Sequence, residues 1–180
     1  MRLDLRWWQV CLVLLAQGGS AVADAEIGRV YHPSVEPLER EIELRANVID
    51  DSSHDRHKDQ KYWLAYGSSP LERWFLEAYA IARKDNGESL DVSGFELEAL
   101  WQLTEQGEYW ADWGMLFGIE RETKDNAWEY AVAGLVEKEL GPTSLTTNLH
   151  LIYESGSGID NEFETYLAMQ WRWRFREYLE

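Results

Sequence analysis

The chain has 180 residues, with 17 Lys and Arg against 33 Asp and Glu, and a formal net charge of −16. That length suits one domain, and that charge excludes a nucleic-acid partner, because a phosphate backbone needs a basic face. The single cysteine, Cys11, lies in the N-terminal apolar run, so the rest has no disulfide or thiol chemistry, while ten Trp and nine Tyr suit a membrane interface or, in a soluble protein, a sugar-binding surface.

Met1 to Ala23 has the make-up of a secretory signal peptide. Arg2 and Arg6 charge its start, with Asp4 an unusual guest, and Trp7 to Ala16 is apolar apart from Gln9. Ser20 to Ala23 offers small residues for cleavage after Ala23, with Ala25 the alternative. The run falls short of the roughly 20 apolar residues that a spanning helix needs. No later stretch is long and apolar enough either, so a mature chain that enters a membrane does so as a closed barrel. Residues 24–40, with Pro33 and Pro37, read as an extended, unpaired lead-in.

Eight alternating segments follow over 41–175, and a period of two is a strand signal. They are Glu41–Ile49, Lys61–Gly67, Arg73–Arg83, Ser93–Leu103, Glu108–Ile119, Ala127–Lys138, Ser144–Tyr153 and Phe163–Phe175. In the last, Phe163, Leu167, Met169, Trp171, Trp173 and Phe175 share a face opposite Glu164, Gln170, Arg172 and Arg174. As a helix it would be ringed by its arginines. Arg73–Arg83 and Ala127–Lys138 also fit helices by local spacing. The recurrence of one alternation along the chain favours strands in both, since global pattern overrides weak local preference.

The connections alternate. The longer polar ones are the first, third, fifth and seventh, and Gly67–Pro70, Thr104–Gly107 and Gly141–Pro142 are tight turns. Outer-membrane barrels show this asymmetry, with short periplasmic turns and longer outside loops. Aromatics on the apolar faces sort to match. Tyr66, Trp74, Trp101, Tyr109, Trp171, Trp173 and Phe175 fall near the tight turns. Trp128, Tyr130 and Phe163 fall near the long loops, with Tyr62 and Phe95. Two girdles of interface rings are expected.

The opposite faces carry Glu43, Arg45, Arg73, Glu77, Glu96, Glu98, Asp112, Glu129, His150, Glu164, Arg172 and Arg174, among other charges. These are the expected lumen residues, and their sum is acidic. They form either a cation-preferring passage or a plug of ion pairs and hydrogen bonds, because eight strands enclose a space that side chains just fill. His54 and His57, among acidic residues of the first long loop, are weak metal candidates with nothing to fix them. Ser52, Ser53 and His54 are sequence neighbours, which does not set a base against a hydroxyl. No catalytic constellation is expected, no enzyme activity and no cofactor.

The segments GEYWADWGMLFGIE, LVEKELGP and WRWRFREYLE resemble an uncharacterised group of Gram-negative, proteobacterial outer-membrane proteins. More distantly they are similar to the barrel domain of copper-resistance outer-membrane proteins. The resemblance covers Glu41 to Phe175 and rests on pattern more than on a motif. It implies an all-β, antiparallel up-and-down transmembrane barrel in the outer membrane. It also implies lipid, lipopolysaccharide and the barrel-assembly machinery as partners, and it leaves the oligomeric state open. In such barrels the last strand ends in an aromatic residue. Here Phe175 is followed by 176–180, which is either a tail or the start of further strands of a larger barrel. The expected role is structural or narrow and porin-like. The alternative is a soluble periplasmic β-barrel that binds a small ligand inside.

Overall fold

The computed structural model describes residues 29–48, 59–85, 87–123, 126–158 and 160–174, together with the backbone of 9–16. All regular structure there is strand: β1 (Gln9–Ala16), β2 (Arg40–Val48), β3 (Gln60–Leu71), β4 (Trp74–Lys84), β5 (Asp91–Gln102), β6 (Asp112–Glu122), β7 (Ala127–Leu140), β8 (Thr143–Gly156) and β9 (Glu162–Arg174). From β2 to β9 each strand pairs antiparallel with the next. The eight form an up-and-down sheet curled into a half-barrel. Strand β1 lies on the far edge of β9, with Gln9 opposite Arg174 and Ala16 opposite Leu167. Part of the expected signal segment thus occupies a sheet edge, and the rest of it lies outside the described residues. Among the described residues no strand pairs with the outer edge of β2.

The helix-compatible stretches are strands. In β4, Trp74, Leu76, Ala78 and Ala80 share one face while Phe75, Glu77, Tyr79 and Ile81 share the other, and both edges of the strand are paired. A period of two satisfies both neighbours, which a helix could not. The same holds for β7 between β6 and β8.

The two faces differ sharply. The convex face carries Leu64, Leu97 (58% exposed), Leu149 (48% exposed) and Leu151, and the concave face carries Ala65, Leu135, Asn148 and His150, all buried. The aromatics Tyr66, Trp101, Trp128, Tyr130, Phe163, Trp171 and Trp173 are exposed on the convex face. Trp74 stacks on Trp101, with ring centroids 5.3 Å apart and planes 4° apart.

Several expectations need correction. The turn placed at Gly67–Pro70 lies instead at Glu72–Arg73, because β3 runs on to Leu71 through an irregularity between Ser68 and Leu71. Arg73 is therefore not a lumen residue. It sits exposed in the turn and pairs with Glu105. The fourth connection spans 103–111, longer than the fifth at 123–126, so the long–short alternation fails at that point. Strand β6 starts at Asp112, which leaves Tyr109 exposed in the connection and off the sheet. Here Gly107, at φ 75°, donates its N–H to Asp112 Oδ1 at 2.7 Å, which closes the loop before the strand begins. Phe175 lies outside the described residues.

Candidate functional site

The concavity is not empty. Residues 29–39, expected to be unpaired, run inside the half-barrel and pack on its strands. Asn148, fully buried on β8, grips the Tyr31 backbone at both ends. Its Oδ1 accepts from the Tyr31 N–H at 2.7 Å, and its Nδ2 donates to the Tyr31 carbonyl at 2.9 Å. A side-chain amide mimics a strand partner here, since it offers one donor and one acceptor to the same residue. Further along, Gln102 Oε1 accepts from the Val35 N–H at 2.8 Å. Val35 joins Phe75, Leu100, Leu116, Ala133 and Leu135 in a small apolar core, with Tyr31 packed against it. The Ser69 N–H donates to the Glu39 carbonyl at 3.1 Å, which ties the segment to β3 just before β2 begins.

Small residues on the concave face make the room. Gly114 touches Pro33: a Cβ there would meet Pro33 Cα and Cβ, both at 3.0 Å. Ala133, Ser144, Thr146 and Ala168 are buried nearby. Gly67 serves the wall itself, because the Phe75 ring fills the space its side chain would take.

Two ionic clusters hold the segment. Arg29 Nη1 donates to Glu43 Oε2 at 3.0 Å, to Glu77 Oε2 at 3.1 Å and to the Tyr79 hydroxyl at 2.9 Å. Burial pulls the Arg29 guanidinium down, but Glu77, Tyr31, Tyr79 and Glu43 outweigh it and leave the group above its ordinary value. It stays a cation throughout. The Tyr31 hydroxyl donates to Glu98 Oε1 at 2.6 Å. Burial first, and then the Glu98 carboxylate, push that phenol well above its usual range, so it remains a donor. On the other side His32 Nδ1 lies 2.7 Å from Glu137 Oε2, and His32 Nε2 meets Arg172. His32 thus sits between the Glu137 carboxylate and the Arg172 guanidinium.

Most of the expected lumen residues are brought together. Glu77, Glu98, Glu43 and Arg172 contact the segment directly. Arg45 lies over the buried Trp63 ring, 4.6 Å from its centroid. His150 is buried and stacks on Tyr166 at 4.3 Å. Asp112 is buried at the end of its strand. Glu164 faces the concavity by its register but is exposed. Arg174 is at the rim, where it pairs with Glu139 at 2.7 Å. Glu96 and Glu129 belong to a row, Glu96–Glu120–Glu129–Glu154–Glu162, in which each faces the next across β5 to β9. Like charges so placed repel. Cations face them from β2 and β3, namely Arg45 towards Glu96 and Lys61 towards Glu129. The interior thus has two levels: a filled one around residues 29–39, and an acidic one next to the connections at 85–90, 123–126 and 157–161.

Between the segment and the sheet lies a cavity of about 190 Å³. Arg29, Tyr31, His32, Glu39, Glu41, Glu77 and Glu98 supply its ionisable lining, and Val30, Val35, Phe75, Leu100 and Leu116 its apolar wall. Among the described residues no group of three or more His, Cys, Asp or Glu is set to hold a metal ion. The loop with His54 and His57 lies outside them.

Sequence reasoning missed Arg29, Tyr31, His32, Val35 and Asn148. The available signal was the apolar content of the lead-in (Val30, Tyr31, Val35) and the small concave residues of β6 to β9, which leave unfilled volume. No family model, no curated protein and no solved structure matches the chain.

Proposed function

We propose that the chain is an exported outer-membrane β-barrel protein. Its convex face meets hydrocarbon, and residues 29–39 plug its acidic interior. Its role is structural or that of a narrow, porin-like passage. The observation that carries this reading is the polarity of the two faces. Leu64, Leu97, Phe95, Leu149 and Leu151 stand exposed, while Glu77, Asn148, His150 and Glu137 are buried. A water-soluble sheet hides its apolar side and wets its polar one. The inverse arrangement suits lipid, and a continuous exposed apolar surface marks a membrane or partner contact. Among the described residues no helix is long and apolar enough to cross a membrane, and strands closed into a barrel are the other way to span one.

The filled concavity also bears on size. The interior of a closed eight-stranded barrel is just filled by its own side chains. This concavity holds an additional extended segment as well, and β2 to β9 curl into only a half-barrel, so in this reading the closed form takes in more strands than these eight. In this reading the apolar 9–16 belongs to the export signal, and its removal frees the β9 edge for that closure. Lipid, lipopolysaccharide and the barrel-assembly machinery are the partners.

Membrane fractionation tests the proposal. The protein should remain with the outer membrane after carbonate or Sarkosyl extraction, and its gel mobility should shift on heating. Recovery in the soluble periplasmic fraction would sink it. The result would then favour a soluble ligand-binding barrel, for which the cavity is the supporting feature.

A further inference from the structure

We infer that a second copy of this chain completes the half-barrel. The outer edge of β2 pairs with the β9 edge of the second copy, and two sets of eight strands close one barrel. The inference rests on the outer-membrane reading above and supplies the strands that closure requires. Both edges are open in that reading. Among the described residues no strand pairs with the outer edge of β2, and the loss of β1 frees β9. Hydrocarbon does not tolerate an open edge, because its N–H and C=O groups have no water to bond.

The two edges fit each other. Strands β2 and β9 run in opposite senses, so a two-fold axis along the barrel sets each β9 antiparallel to the other copy's β2 and closes both seams at once. In one register Ile42 and Leu44, exposed on the convex face, stand opposite Trp173 and Trp171 of the second copy. The same register sets Glu41 and Glu43 opposite Arg174 and Arg172. Apolar residues meet aromatics on one face and acids meet bases on the other, which is how neighbouring strands stabilise each other. Strand β1 takes the same place in the same direction, but its register sets Cys11 opposite Arg172 and Val13 opposite Gln170. Those residues do not match a polar face.

Strand stagger gives an independent check. A straight path across the paired sheet runs from Ile42 on β2 to Phe163 on β9. At the seam Phe163 is level with a position about ten residues past Ile42 in the second copy, which is the stagger for each set of strands. With roughly 3.3 Å per residue and 4.8 Å between strands, this gives a tilt of about 41°, inside the range of about 35–45° that closed barrels use. A slip of two residues, the least that keeps the faces matched, moves the tilt to about 35° or about 46°. One such slip sets Glu43 opposite Gln170, and the other sets Arg45 opposite Arg172. The same register could join β9 to β2 of its own chain. That closure needs about twice the curvature and the volume that residues 29–39 fill.

Cysteine pairing tests the seam, in a Cys11→Ser background so that the native thiol takes no part. Chains with Ile42→Cys alone and chains with Trp173→Cys alone are co-expressed under different tags. The membranes are oxidised and run on denaturing gels. Directly opposed residues lie about 4.5–5.5 Å apart between Cα atoms, within disulfide reach. A reducible species carrying both tags is expected. It should exceed by about ten-fold the yield from Ile42→Cys with Leu167→Cys, which stand about 20 Å out of register. Leu44→Cys with Trp171→Cys repeats the test if a Trp173 variant fails to assemble. The unsubstituted chain in mild detergent should sediment as two copies. A membrane-bound chain that sediments as one copy overturns the inference and leaves the outer-membrane reading standing. So does cross-linking no stronger than the out-of-register pair, or a disulfide confined to one chain when Ile42→Cys and Trp173→Cys are combined. Recovery in the soluble periplasmic fraction overturns the membrane reading, and this inference with it.

Discussion

Asn148→Leu is the sharpest probe of the plugged interior. The substitution conserves shape and removes both hydrogen bonds to Tyr31, at 2.7 and 2.9 Å. Each is worth about 0.5–1.5 kcal/mol net, and each Tyr31 group left unsatisfied costs about 1–3 kcal/mol if the segment stays in place. The segment therefore loses about 2–3 kcal/mol of attachment, with the upper limit set by its option of leaving and rehydrating. At 1.4 kcal/mol per tenfold, amide exchange protection of residues 29–38 should fall about 30- to 150-fold. Protection in β6 to β8 should hold, because their ladder bonds are untouched. Hydrogen exchange read by mass spectrometry, peptide by peptide, measures this. Unchanged protection over 29–38 would refute the claim that Asn148 holds the segment. Equal loss over the whole sheet would refute the claim that the segment is a separable unit.

Other substitutions probe the rest. Gly114→Val should expel Pro33 from its contact, with about 1–3 kcal/mol of overpacking and new protease access near Arg29. Cleavage rates as slow as in the parent would contradict the close approach. Gly67→Ala places a carbon within the envelope of the Phe75 ring and 2.9 Å from Glu77 Cγ. It should lower the denaturant midpoint by an amount equivalent to about 1–3 kcal/mol. Leu151→Arg on the convex face separates the two readings of that face. In a bilayer it should destabilise by about 2–4 kcal/mol if Leu151 lies near the midplane. An exposed site of a soluble protein would lose no more than about 0.5 kcal/mol. Trp101→Leu removes the stack with Trp74. About 0.5–1.5 kcal/mol should be lost, together with any coupled near-ultraviolet dichroism from the pair.

Strand positions and faces were legible because their signal is local. In β8, Leu145, Thr147, Leu149 and Leu151 alternate with Ser144, Thr146, Asn148 and His150, and two-residue periodicity states which of them point together without any knowledge of partners. The connections were less legible. Ser68–Leu71 and Asn86–Leu90 contain similar polar and turn-forming residues, yet the first is largely strand. Register between β3 and β4 decides that, and register is a property of the pair. Tyr109 was misplaced for the same reason: alternation continues by chance through Glu108–Ala111, while the backbone closes on Asp112.

By itself, then, the sequence determined an all-strand meander with one apolar and one polar face, since alternation acts over two residues. Only the tertiary structure decided what the polar face encloses. Tyr31 meets Asn148 across 117 positions of chain and His32 meets Arg172 across 140. Contacts at such separations are set by curvature and by the volume that Gly114, Ala133 and Ala168 leave open. Neither quantity exists until eight strands have paired and curled.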